Sequence, residues 1–218
     1  MPIKNKPIVM KFGGTSVQDS RSIENVIRIV RESPSPKVVV VSAISKATTS
    51  LENIARFAAE KKTDEAGTLL EDIVNRHHNI INDLVTDSSL KASAAEKIIK
   101  YHRQIAELVK GLSIINELSL RILDAFRSFG ELMSSAVIFH AMKNAGLDVE
   151  LIDSRDVIKT NNDFSRAYPN FELSQENANR MLKPLLEKGK IVLAQGFIGS
   201  TEDGITTTMG RESSDFSA

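Results

Sequence analysis

The run Lys37-Val38-Val39-Val40-Val41-Ser42 constrains this chain most. Consecutive β-branched residues with no polar alternation belong to a strand covered on both faces, as in a parallel sheet between helical layers. A second apolar run, Ile8–Phe12, reads as another buried strand. Between them Ser20–Glu32 carries Ile23, Val26, Ile27 and Val30 on one helical face. Ser33-Pro34-Ser35-Pro36 ends that helix, because neither proline can continue it. Strand–helix–strand units of this kind pair in parallel through a right-handed crossover. The expected class is therefore α/β.

Residues from about 50 to 128 read as mainly helical. Leu69, Leu70, Ile73, Val74, Ile80, Ile81, Leu84 and Val85 recur at helical spacing, and Asp87-Ser88-Ser89 breaks the pattern. Ser93-Ala94-Ala95-Glu96 has the form of a capping box opening the next helix, with Gly111 as its stop. A helix over 117–127 follows. Ser128-Phe129-Gly130-Glu131 is expected to interrupt it before a further helix over 132–144, with Gly146 after its end. This block reads as a helical lobe inserted into a layered α/β domain. Strands are expected at 149–153 and 190–194, with an irregular stretch over 154–173 and a helix from Ser174 to about Lys188. Asp203-Gly204 signals a hairpin before Thr206-Thr207-Thr208.

Composition narrows the function classes. Lys+Arg and Asp+Glu each total 28 among the 218 residues, which offers no basic surface for nucleic acid or membrane. There is no cysteine, so disulfides, thiolate metal sites and cysteine nucleophiles are excluded. His77, His78, His102 and His140 form no metal-binding spacing. The N-terminus lacks the apolar segment of a signal peptide, and no apolar run reaches the roughly 18–20 residues of a membrane span. A cytoplasmic protein is the expectation.

The chemistry gathers where the first strand ends. Val9-Met10-Lys11-Phe12-Gly13-Gly14-Thr15-Ser16 places a cation, two glycines and two hydroxyls in succession. Glycines let backbone N–H groups approach a ligand closely, and the following helix favours anions at its N-terminal end. The segment is neither a Walker A loop nor a G-x-G-x-x-G turn. On its residues alone it is equally an ordinary glycine turn, with Lys11 guarding a strand edge. Glu131 alone reads as a first-turn helix acid.

Four segments in order resemble one family. Lys11-Phe12-Gly13-Gly14-Thr15-Ser16-Val17 is similar to the opening signature of the aspartokinases. Val40-Val41-Ser42-Ala43 with Thr48 resembles their second-strand segment, and Ser128-Phe129-Gly130-Glu131 their S-x-G-E segment. Thr206-Thr207-Thr208-Met209-Gly210-Arg211 with Ser214-Asp215 resembles their T-T-T-L-G-R-G-G-S-D motif, and Gly196-Phe197-Ile198-Gly199 sits where they carry a turn. Glu212-Ser213 departs from their Gly-Gly, which puts a carboxylate beside Arg211.

The resemblance implies an incomplete amino-acid-kinase (carbamate-kinase-like) fold: a three-layer αβα arrangement around a mainly parallel sheet. Residues 1–218 would be its N-terminal substrate- and phosphate-binding part, without the nucleotide-binding half or the ACT regulatory domains. Ser213-Ser214-Asp215 is helix-capping chemistry with three residues after it, which fits a truncated chain. The implied reaction moves the γ-phosphate of ATP to the β-carboxylate of L-aspartate, the first step of lysine, threonine and methionine biosynthesis. Mg²⁺ would arrive with ATP, with no metal ligands of the chain's own, and the full-length protein would be a homo-oligomer. Lys11, Arg211 and Asp215 are the implied catalytic residues. Ser42, Thr48, Glu131, Arg211 and Ser214 would bind substrate; Lys11, Gly13, Gly14 and Ser16 would bind the nucleotide phosphates. The attacking carboxylate is already ionised at neutral pH, so the chemistry needs charge neutralisation and no general base. Two other readings stay open: a kinase acting on glutamate or another acid, and a non-catalytic binding or oligomerisation module.

Overall fold

The computed structural model describes residues 6–34 and 36–210. Its centre is a four-stranded, wholly parallel sheet of β1 (Ile8–Phe12), β2 (Lys37–Val41), β3 (Val149–Leu151) and β4 (Ile191–Gln195), in the spatial order β1-β2-β4-β3. A short 3-10 turn, Gly14–Val17, leads from β1 to α1 (Ser20–Glu32), whose N-cap Asp19 accepts the Ser22 N–H. The strand–helix–strand unit thus forms where the apolar pattern places it.

The valine run is covered on both faces. Val39 and Val41 belong to the main core with α1, and the helix α5 (Leu120–Asn144) packs on the same sheet. Val38 and Val40, with Val9 and Ala194, face Val157, Ala178 and Leu182 of α6 (Ser154–Val157), α7 (Phe171–Met181) and the residue joining α7 to α8 (Lys183–Glu187). Helices α2 (Ala47–Ala59), α3 (Thr63–Leu84) and α4 (Ser88–Ile115) pack on one another and on α5 (Leu120–Asn144). Their apolar residues share one continuous core with the sheet. A small antiparallel hairpin, β5 (Ile198–Ser200) and β6 (Thr206–Thr208), follows β4; Gly204 takes φ +80° in its turn, as the Asp-Gly pair requires. No helix among the described residues is long and apolar enough to cross a membrane.

Several boundaries differ from the sequence expectation. α5 runs unbroken through Ser128-Phe129-Gly130-Glu131 and starts at Leu120, capped by the Ser119 hydroxyl. All four residues are buried within a long helix, and Gly130 is there for close packing. A Cβ at Gly130 would lie 3.0 Å from Ala43 Cβ and 3.5 Å from Leu51 Cδ1. Tertiary contact overrides the low helix propensity of glycine. α4 opens at Ser88, capped by Asp87, ahead of the Ser93 box, because Asp87 offers the first carboxylate to the free N–H of Leu90 at 2.9 Å. It passes Gly111 and stops at Asn116, which takes φ +57°. The expected helix from Ser174 starts earlier, on an Asn170 cap, and divides before Pro184, whose missing N–H cannot extend it. Residues 154–157, within the stretch expected to be irregular, form a helical turn held by Asp153 as its cap.

Candidate active site

The C-terminal ends of β1, β2 and β4 open into one cleft of about 450 Å³. In parallel α/β sheets this end is where ligands bind, because the loops diverge there and helix N-termini face inward. Gly14 and Thr15 follow β1, Ser42 to Thr49 follow β2, and Phe197 follows β4; Glu131 enters from α5.

The sheet itself sets these loops side by side. Ser42 N–H donates to the Phe12 carbonyl at 3.1 Å, and Gly196 N–H to the Val41 carbonyl at 2.9 Å. The glycine turn is pressed against the β2–α2 loop: a Cβ on Gly14 would meet the Ala43 carbonyl oxygen at 3.0 Å and Ser45 Cα at 3.8 Å. Ser134 Oγ, on α5, donates to the Ser42 carbonyl at 2.8 Å. Both glycine and serine loops are thereby fixed to rigid elements.

Glu131 carries the unusual electrostatics. It is only 3 % exposed. Among the described residues its Oε1 receives one long bond, 3.4 Å from Ala43 N–H, and its Oε2 has no partner. Burial pushes the carboxyl up to about 8, only partly offset by the Ala43 N–H. A buried, half-satisfied carboxylate lining a cleft is a receptor for a cationic group.

Of the residues expected to form the site, the cleft brings together Gly14, Ser42, Thr48 and Glu131. Lys11 lies at the exposed end of β1, two residues before Gly13; Gly13 and Ser16 flank Gly14 without lining the cleft. The Gly13 carbonyl accepts the Ser16 N–H at 2.9 Å, which closes the turn. Arg211, Ser214 and Asp215 lie outside the described residues. Sequence reasoning missed Lys46, Thr49 and Phe197 as lining residues, although the Gly-Phe turn at 196–197 marked the last of them.

It also missed Asp124. This carboxylate is wholly buried. Its Oδ2 accepts from the backbone N–H of Ser165 (2.8 Å) and Thr208 (2.9 Å); Oδ1 accepts from their hydroxyls at 3.1 and 2.6 Å. Arg127, one turn along α5, approaches it at 3.5 Å and pairs with Glu52 of α2 at 2.8 Å. Among the described residues no group of three or more His, Cys, Asp or Glu side chains could hold a metal ion.

A parallel sheet between helical layers, with a glycine turn, a hydroxyl-rich loop and a buried acid at its C-terminal edge, is an α/β arrangement of the kind that binds small molecules. The profile of the amino acid kinase family matches residues 6–218, and the chain belongs to that family. Within it the chain is similar to aspartokinases. It is 35% identical to the aspartokinase of Chlamydia trachomatis over 212 residues, covering 97% of this chain and 44% of that protein. It is 32% identical to lysine-sensitive aspartokinase 3 of Escherichia coli, covering 97% of this chain and 45% of that one. The solved structure of E. coli aspartokinase III in complex with aspartate and ADP superposes with a TM-score of 0.89 at 31% identity, over 98% of this chain and 45% of that one. The chain thus spans a little under half the length of these relatives.

Proposed function

We propose that the cleft is the amino-acid site of an aspartate kinase, which transfers the γ-phosphate of ATP to the β-carboxylate of L-aspartate. The observation that carries this reading is Glu131. An α-amino acid brings one ammonium group, and among the described residues the cleft holds one buried carboxylate with an oxygen that has no partner. The ammonium would supply the missing partner and return Glu131 to its ionised form. Ser42 and Thr48 offer hydroxyls beside it for the substrate's carboxylate oxygens. Gly14 lines the cleft and packs so closely on the β2–α2 loop that a Cβ would meet the Ala43 carbonyl oxygen at 3.0 Å.

The aspartokinase relatives and the neighbour solved with aspartate and ADP support this substrate pair. ATP supplies the phosphoryl group and brings Mg²⁺ bound to its own phosphates. Lys11, Gly13, Gly14 and Ser16 would meet the phosphates, with Lys11 balancing charge as the phosphoryl group moves. Arg211, Ser214 and Asp215 would close the substrate side, Arg211 gripping a carboxylate in bidentate fashion. The role of this chain is to bind and orient the two anions; the substrate carboxylate needs no base.

The test supplies ATP, Mg²⁺ and L-aspartate and traps the acyl phosphate as its hydroxamate. It uses this chain alone and this chain joined to the remaining length of an aspartokinase relative. Turnover with aspartate supports the reading. Turnover with glutamate and not aspartate overturns the substrate, and no turnover in either folded form leaves a binding module as the better description.

A further inference from the structure

Lys46 sits at the entrance of α2 with φ +69°. A non-glycine residue in the left-handed region is strained, and such strain persists where the surroundings require it. Asn or Gly would serve this position more cheaply, so the lysine side chain needs a reason. Lys46 lines the same cleft as Gly14 and Glu131. It follows Ser45, the residue against which the Gly14 backbone is pressed. Among the described residues its ammonium makes no hydrogen bond or ion pair, whereas Lys37, Lys159 and Lys190 each do. It offers no side-chain cap to the helix it opens. The strained backbone therefore keeps an uncommitted cation beside the glycine turn.

We propose that Lys46 is a second phosphate-binding cation of this cleft, acting across the glycine turn from Lys11. This rests on the phosphotransferase reading above and adds to it a residue on the β2–α2 loop. The ligand class is a polyphosphate. A lysine ammonium suits it as a mobile point charge, where bidentate carboxylate recognition calls for arginine. Two cations would approach the transferring group, one from the end of β1 and one from the β2–α2 loop, which the sheet sets side by side. Lys61 provides the internal comparison: it too is left-handed, at φ +62°, but it lies at the far end of α2 and does not line the cleft.

The test is calorimetric titration of the 218-residue chain with inorganic pyrophosphate and, separately, with L-aspartate, at low ionic strength. Lys46→Gln is expected to weaken pyrophosphate about tenfold and to move L-aspartate less than about twofold, as removal of one charge-assisted contact does. Lys46→Arg is expected to retain most of the affinity, and Lys61→Gln all of it. Lys46→Gly is expected to lose pyrophosphate as the glutamine variant does while melting no lower than the unsubstituted chain, because the strain is relieved. Equal pyrophosphate affinity in Lys46→Gln and the unsubstituted chain, or no pyrophosphate binding by the latter, would overturn the proposal. Pyrophosphate binding that depends on Lys46, with L-aspartate not bound at all, would uphold the lysine and refute the substrate reading.

Discussion

Asp124 holds Thr208 through both of its oxygens, Oδ2 on the backbone N–H at 2.9 Å and Oδ1 on the hydroxyl at 2.6 Å. The same two oxygens hold Ser165, so one buried carboxylate ties α5 to both the β6 strand and the 161–168 loop. Seven residues further along α5, two helical turns on, Glu131 faces the β2–α2 loop. One helix thus holds the β6 strand and the 161–168 loop through Asp124 and meets the cleft-lining β2–α2 loop through Glu131.

Removing that anchor should be costly. Asp124→Ala leaves Arg127 beside an empty buried space and strands the Thr208 N–H, so a loss of about 3–5 kcal/mol of stability is expected. Asp124→Asn keeps the shape and should cost about 1–3 kcal/mol. Urea denaturation measures both. Hydrogen exchange at the Thr208 amide should accelerate in Asp124→Ala beyond what the global stability change accounts for.

Glu131 makes stability depend on pH in a stated direction. Its folded-state carboxyl titrates at about 8, above the 4.5 of an unperturbed glutamate. The buried neutral acid therefore contributes most below pH 4.5. Between 4.5 and 8 the unfolded chain ionises while the folded one stays protonated, and stability falls. Each unit of that interval corresponds to about 1.4 kcal/mol. Glu131→Gln removes the titration. At pH 8 it should be more stable than the unsubstituted chain and at pH 4 nearly equal, as thermal melts across that range would record.

Gly130 sets the distance between α5 and the loop carrying Ser42 and Thr48. A valine there would push against Ala43 Cβ, already 3.0 Å from the position of the first added carbon. The expected cost is about 1–3 kcal/mol of stability. L-aspartate affinity should fall further than stability does, because the displaced loop is a wall of the cleft. Parallel titration and denaturation separate the two effects.

Much of this was legible in the residues, for local reasons. The valine run, the amphipathic Ser20–Glu32 helix and the Asp203-Gly204 turn each carry their own instruction, and each forms as read. The failures share a cause. Gly130 and Gly111 read as helix stops because propensity is local, while α5 and α4 are held through those points by packing against neighbouring helices. Asp124 was invisible for the same reason: its partners Ser165 and Thr208 are 41 and 84 residues away. Gly14, Ser42, Thr48 and Glu131 were found through their family pattern, and the cleft joins them. Lys46 looks ordinary in the sequence, and its left-handed backbone and its place on the cleft are set only by the fold.

In the proposed site the ammonium group of the substrate ionises Glu131. Calorimetric titration with L-aspartate at pH 7, in two buffers of different ionisation enthalpy, counts protons directly. A carboxyl that titrates at about 8 is mostly protonated at that pH, so binding should release close to one proton, and Glu131→Gln should release none. L-Aspartate binding with no buffer dependence in the unsubstituted chain, or with equal affinity in Glu131→Gln, would contradict the account.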